Sequence, residues 1–386
     1  MTNIFKKIDK PLFFITIFMF LFGLIMIFSA SYVKAINSLG NAYYYLIRQG
    51  VILFICFIVF LILIKFPIKV YKKFYKTIMF IAIALLILVY FFGNISNGAR
   101  SWFALPYFNL QPSELVKIAI IIFMAVYYDN KKENMKGYKV ALFPFVFIAI
   151  IFGLIVIQPD LGSALIILFM TMIIFFSVPL VPEVKKSVSK IILITITLLS
   201  VAVVILVLSG KTTLYEYQIQ RLNFLNPCSR YTETGTGYQI CNSYIAINNG
   251  GLFGVGIGNS TQKYLYLPEA YTDFIFPVIV EELGLITGII ILLIYAYIIF
   301  RILSIAKRSY NLTNGLICYG VAAYMFVHIF INLGGVLGLL PLTGVPLPFL
   351  SYGGSYALSL TVALTLVQRV NIETYSQNQR EKLKKI

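Results

Sequence analysis

Charge is what this chain has least of. Asp, Glu, Lys and Arg make up only 12% of its 386 residues, against about 25% in a soluble domain. That excludes the two or three soluble domains the length would otherwise suggest. Histidine occurs once, tryptophan once and cysteine four times. No His/Cys/Asp cluster has metal-ligand spacing, so no metal site is assigned. No short-period repeat, low-complexity tract or separate soluble domain is visible. The first apolar block, from Pro11, is too long for a signal h-region and lacks an A-x-A cleavage site. It reads as a retained first span.

What the chain does have is apolar length. Hydrophobic residues make up 60% and mean hydropathy is +0.90. They fall into blocks near the roughly 20 residues that cross a hydrocarbon core. Inside lipid each block must satisfy its own backbone groups, so each is a helix. The expected class is all-α: one polytopic membrane domain over 1–386 with ten transmembrane helices. The spans are expected at 11–31, 47–66, 77–93, 113–128, 141–157, 161–179, 191–209, 274–299, 314–335 and 352–368. A large extracytoplasmic loop, 210–273, separates the seventh from the eighth, and 1–10 and 370–386 are cytoplasmic tails.

The net charge of +17 does not form the stripe of a nucleic-acid binder. Lys and Arg alternate by side instead, and the positive-inside rule puts both termini in the cytoplasm. Eight basic residues lie off that face: Lys34, Arg48, Arg100, Lys117, Lys211, Arg221, Arg230 and Lys263.

The outer-facing segments carry the chemistry. Arg100 and Trp102 place a cation beside a flat aromatic face, which suits a sugar or phosphate; an interfacial anchor explains Trp102 equally well. Gln111-Pro112-Ser113-Glu114 can start a helix, with Ser113 or Glu114 satisfying its free N–H groups. That leaves Lys117, which shares a helix face with Glu114 at membrane depth, where ionisable groups default to function. Asp160 reads as an N-cap in a turn. Arg48 is either a snorkelling residue or a ligand contact. Glycines from Gly250 to Gly258 allow close backbone packing or approach to an anionic head group. Asp273 stands where water ends and lipid begins. It is either an N-cap, with Thr272 as competitor, or a partly buried acid suited to general-base work. Glu281 and Glu282 lie deeper in the same helix. His328 reads as a neutral side chain hydrogen-bonded between helices near Asn332, or as a transporter's proton relay. Cys228 and Cys241 are either a disulfide across the loop or two free thiols.

The stretches NGARSWF, QPSELVK, QPDLGSA, GGLFGVGIGNSTQK, LPEAYTDFIF with EELG, and PLPFLSYGGS run in order from residue 97 to 355. In this the whole chain resembles the SEDS proteins, the FtsW, RodA and SpoVE family of peptidoglycan glycosyltransferases. The run QKYLYLPEAYTDFIF looks more like the FtsW type. The resemblance implies a ten-helix bundle that polymerises lipid II into glycan strands at the bacterial cell membrane. The implied partners are a class B penicillin-binding protein, the nascent strand and other divisome membrane proteins. The family's catalytic Asp falls on Asp273, its Glu on Glu269 and its Gln-Lys pair on Gln262 and Lys263. The chain departs from the pattern at Tyr271, where the family often has His, and at Asn226, where it usually has Asp.

The mechanism so implied is an inverting transfer in which Asp273 takes the proton of the acceptor hydroxyl. The pyrophosphate leaving group needs positive charge. Arg48, Arg100, Lys117, Arg221 and Lys263 are the expected contacts, and a divalent cation could share the work. The competing readings are a flippase for the lipid-linked precursor, a RodA-like elongation polymerase and a division scaffold without catalysis.

Overall fold

A computed structural model describes residues 5–96, 99–104, 109–194, 224–231, 235–264 and 266–384. Helix α1 (Lys10–Leu39) opens on Asp9, whose carboxylate accepts from the Leu12 amide at 3.0 Å, and stops at Gly40 in the left-handed region. Helix α2 is Tyr44–Leu63, and α3 is Ile68–Phe92, entered from Pro67. A small antiparallel sheet follows, β1 (Asn94–Ser96), β2 (Ala99–Ala104) and β3 (Asn109–Leu110), in the order β1-β2-β3. Then come α4 (Pro112–Asn130), α5 (Tyr138–Ile157) and α6 (Leu161–Ser177), with α7 over 182–194. The chain continues with α8 (Thr236–Gly250), α9 (Ile275–Arg308), α10 (Leu312–Val336) and α11 (Gly354–Lys384).

Helices α1, α2, α3, α5, α9 and α10 are long and apolar enough to cross a membrane. Every expected span but the seventh falls on a helix. The seventh, 191–209, begins in the end of α7 and otherwise lies outside the described residues. Helix α4 is buried on almost every side, from Val116 through Tyr128. An all-round buried helix is the core of a bundle, and α3, α6, α10 and α11 pack around this one.

Four features differ from the expectation. Residues 94–96, 99–104 and 109–110 form a sheet. The large loop contains α8. The C-terminal tail continues α11 as helix to Lys384. The eighth span is broken at Gly284, with φ 85° and ψ 165°. The break frees backbone groups that lipid could not satisfy. The glycine-rich segment after α8 supplies partners for them. The carbonyls of Glu281 and Glu282 accept from the amides of Val255 and Gly256, both at 2.9 Å. The amides of Leu285 and Ile286 donate to the carbonyls of Gly251 and Leu252, at 2.9 and 3.3 Å. A Cβ at Gly284 would lie 2.2 Å from the Leu252 oxygen, and one at Gly254 2.3 Å from the Glu282 oxygen. These two glycines are therefore required by backbone-to-backbone contact.

The lysine-rich end is tied by charge. Arg301 of α9 meets Asp9 at 2.8 Å, and Asp129 of α4 accepts from Lys72 of α3 at 2.5 Å and from Thr313 of α10 at 2.7 Å.

Candidate active site

At the opposite end, the turn before α9 is pinned by three successive carbonyls. Tyr271 O accepts from the Tyr352 amide at 2.9 Å, and Thr272 O from Ser351 Oγ at 2.7 Å. Asp273 O accepts from Asn332 Nδ2 of α10 at 2.9 Å, and the same amide group donates to Val345 O at 2.7 Å. The Pro/Gly-broken segment between α10 and α11 is thus sewn to the turn, and Asp273 has little freedom of position. Helix α9 is capped at Phe274 with no side-chain bond. Asp273 therefore stands one residue before the N-cap position expected of it, and it lines the pocket wall. Gly344, at φ +73°, comes so close that a Cβ there would lie 3.3 Å from Asp273 Oδ2.

The facing wall joins β3, α4, α6 and α11. Ser355 Oγ donates to Asn109 O and accepts from the Gln111 amide, both at 2.7 Å. Gln111 Nε2 donates to Asp160 Oδ2 at 2.8 Å, while Asp160 Oδ1 caps α6 by accepting from the Ser163 amide at 3.0 Å. Ser113 and Glu114 do not cap α4, contrary to expectation. Ser113 instead meets Ser163 at 3.3 Å, and Glu114 takes Lys117 at 2.7 Å. Between these walls lies a cavity of about 280 Å³ lined by Asp273, Glu269, Glu114 and Asp160, with Trp102 and Tyr352 among its aromatic surfaces. Among the described residues no three of His, Cys, Asp and Glu converge as a metal site.

The floor is a buried polar chain. Lys117 Nζ is fully buried between Glu114 and His328 Nε2, the latter at 3.3 Å. Tyr324 OH donates to Glu114 Oε2 at 3.4 Å. His328 bridges towards Pro346 O at 3.5 Å, so it is an interhelical contact with Lys117 as partner and not Asn332. At the rim, Glu269 accepts from Thr272 Oγ1 at 2.7 Å and lies 3.9 Å from Lys34, whose ammonium sits 5.0 Å from the Tyr271 ring centre. Burial first, and then its bond to Tyr45, holds the Tyr271 phenol above the ordinary tyrosine range. Tyr271 therefore stays a neutral hydroxyl where the family often has an imidazole. Arg48 packs 4.7 Å over Tyr44, next to Tyr352, to which it hydrogen-bonds.

Of the residues singled out from the sequence, Asp273, Glu269, Glu114 and Trp102 share this cavity. Lys117 lies beneath it and Arg48 beside it. Arg100 is exposed on β2. Lys263 is buried against Glu282 at 2.9 Å, with Ser29 of α1 accepting at 3.3 Å. Gln262 is buried nearby, and its backbone N–H donates to Glu281 Oε2 at 3.3 Å. The Glu281 carboxylate also accepts from Thr261 Oγ1 at 2.9 Å and from Ser260 Oγ. Arg221 lies outside the described residues. Cys228 and Cys241 are joined, with Cα atoms 5.0 Å apart. The sequence reading passed over Gln111, Ser355 and Gly344 as site residues, gave Asp160 only a capping role, and left Lys34 out of its ligand contacts. For Gly344 the available signal was a glycine between Pro341 and Pro346.

A multi-spanning helical membrane protein with a rigid, carboxylate-lined pocket at one end is the class these features define. The chain belongs to the FtsW/RodA/SpoVE family, whose model is described as "Cell cycle protein" and matches residues 10–376. It is 34% identical over 383 residues to the probable peptidoglycan glycosyltransferase FtsW of Bacillus subtilis, covering 98% of this chain and 94% of that one. It is 35% identical over 376 residues to the stage V sporulation protein E of the same organism, covering 96% and 98%. A chain from a solved peptidoglycan synthase complex, whose description concerns the coordination of polymerisation and crosslinking, superposes with a TM-score of 0.73. That chain is 25% identical, with 95% of this chain and 98% of it covered.

Proposed function

We propose that the chain is a peptidoglycan glycosyltransferase that polymerises lipid II by an inverting transfer. The observation that carries this reading is Asp273, which lines the cavity wall in a turn held through three successive backbone carbonyls. A carboxylate so placed takes the proton of the acceptor GlcNAc 4-hydroxyl as that oxygen attacks the anomeric carbon of the donor MurNAc. The bond to undecaprenyl pyrophosphate breaks as the new glycosidic bond forms. Trp102 offers a flat face for a sugar ring. Among the described residues the cavity lining contains no Lys or Arg. The leaving group is therefore met at the rim, where Lys34 and Arg48 stand. Lys117 fixes Glu114 from below, and Lys263 holds the loop to α1 and α9.

The active face is extracytoplasmic, both termini are cytoplasmic, and a class B penicillin-binding protein cross-links the product. Septal synthesis is the expected setting. The transport reading loses support because Glu281 and Glu282, which would line a path, are occupied by Ser260, Thr261, Ser29 and Lys263. Purified protein with its penicillin-binding partner should convert lipid II into long glycan strands on a gel. Lipid II flipping in liposomes without any polymer would overturn the proposal.

A further inference from the structure

We propose that the groove between α3, α4 and α5, at the lysine-rich end, binds an anionic phospholipid of the leaflet on that side. Its volume is about 600 Å³, and it lies at the other end of the bundle from the Asp273 cavity. Each of the three helices brings a lysine to its mouth, with aromatic rings at four-residue intervals deeper in. On α3 Lys76 is followed by Phe80, and on α5 Lys139 by Phe143 and Phe147. At the end of α4, Lys131 is preceded by Tyr127 and Phe123. A four-residue step is about one helical turn, so each lysine stands above rings on its own face of the helix.

The rings form one continuous wall. Tyr127 stacks on Phe143 at 5.1 Å, Phe123 meets Phe147 at 5.1 Å, and Phe80 meets Phe147 at 6.4 Å. Phe80 remains 61% exposed, so the wall opens toward acyl chains. The three ammoniums are exposed, and among the described residues none of them is in an ion pair. The nearest carboxylates do not cancel them. Asp129 is taken by Lys72 and Thr313, and Glu133 is exposed outside the lining, between Lys132 and Lys136. Helix α5 also starts without a side-chain cap, which leaves its first amides able to meet a phosphate.

Aromatic walls alone would suit a choline head group, but three lysines at the mouth repel it. Aromatic walls topped by lysines fit a phosphodiester with its tails in the groove. Basic pockets between spans on the positively charged side are known phospholipid sites.

The test is native mass spectrometry of the full chain released from nanodiscs made of equal amounts of phosphatidylglycerol and phosphatidylcholine. Each lysine near an anionic lipid contributes roughly fivefold. With three lysines the wild type should therefore retain phosphatidylglycerol over phosphatidylcholine by about a hundredfold. Lys76→Gln/Lys131→Gln/Lys139→Gln should bring the ratio to within about twofold of unity. Val140→Trp, which fills the groove with all lysines kept, should do the same. Lys76→Gln alone, at an exposed position, should lower the ratio about fivefold and keeps the test readable should the larger changes fail to fold. The control Lys69→Gln/Lys186→Gln/Lys190→Gln should leave the ratio unchanged. Retained preference in the groove variants, or equal loss in the control, would overturn the site. So would displacement of the lipid by an equal concentration of glycerol phosphate.

Discussion

Lys263 distinguishes a residue that holds the fold from one that holds the substrate. Its ammonium is buried 2.9 Å from the Glu282 carboxylate, with side-chain exposures of 3% and 0%. Among the described residues, Lys263→Met leaves that carboxylate in the bundle with only the Ser29 hydroxyl, at 2.7 Å, as a partner. Breaking one side of a buried pair costs about 3–5 kcal/mol. Replacing both charges by apolar groups of similar size is often neutral. The double variant Lys263→Met/Glu282→Met should therefore recover to within about 1–2 kcal/mol of the wild type. Unfolding in mixed detergent micelles reads the stabilities, and lipid II polymerisation reads function. If Lys263 acts through the fold, the double variant regains both stability and polymerisation. A double variant that is stable yet polymerises 10²-fold more slowly, about the loss of a transition-state contact, would refute the argument and place Lys263 on the pyrophosphate.

The other expectations follow from the same geometry. Gly284→Ala should cost roughly 3 kcal/mol or more, since it combines backbone strain with the loss of bonds worth about 1 kcal/mol each; a detergent-unfolding midpoint unchanged from the wild type would contradict the close backbone contact at Leu252 O. Cys228→Ser/Cys241→Ser should lower stability by about 2–3 kcal/mol, for a separation of 13 residues, and non-reducing peptide mapping of the wild type should show the two joined. Tyr271 is neutral across the working range because burial raises its pKa. Tyr271→Phe should therefore leave the pH profile of polymerisation unmoved, and a shifted limb would give that phenol a proton-transfer role.

The helices were legible because each apolar block carries its own evidence: lipid forces helix, and the lysine alternation orders the ends. The break at Gly284 was not legible, since EELG reads as continuous helix. Only the partner segment some thirty residues earlier, Gly251 to Gly256, supplies the bonds that make the break stable. The same holds for the cations. Lys117 and Lys263 looked available because neighbouring residues in sequence gave them no full account. Glu114, three residues back, pairs with Lys117, but the other contacts come from distant elements: His328 lies 211 positions from Lys117, and Ser29 lies 234 from Lys263. Lys34 was the converse case, an unremarkable lysine at the end of a span that the fold carries to Glu269. Asp273 and Glu269 were found through the motif that holds both. The anchoring of Asp273 by Asn332 and Ser351 was visible only in three dimensions.

The central claim is that the Asp273 carboxylate removes a proton in glycosyl transfer. The direct measurement is lipid II polymerisation by purified Asp273→Asn with its penicillin-binding partner, beside the wild type. The amide keeps the shape and the backbone anchors, so expression and partner binding should be unchanged. Polymerisation should fall by about 10²–10⁴-fold, the usual contribution of a general base. An Asn variant that folds, binds its partner and makes glycan strands at a near-normal rate would contradict the account.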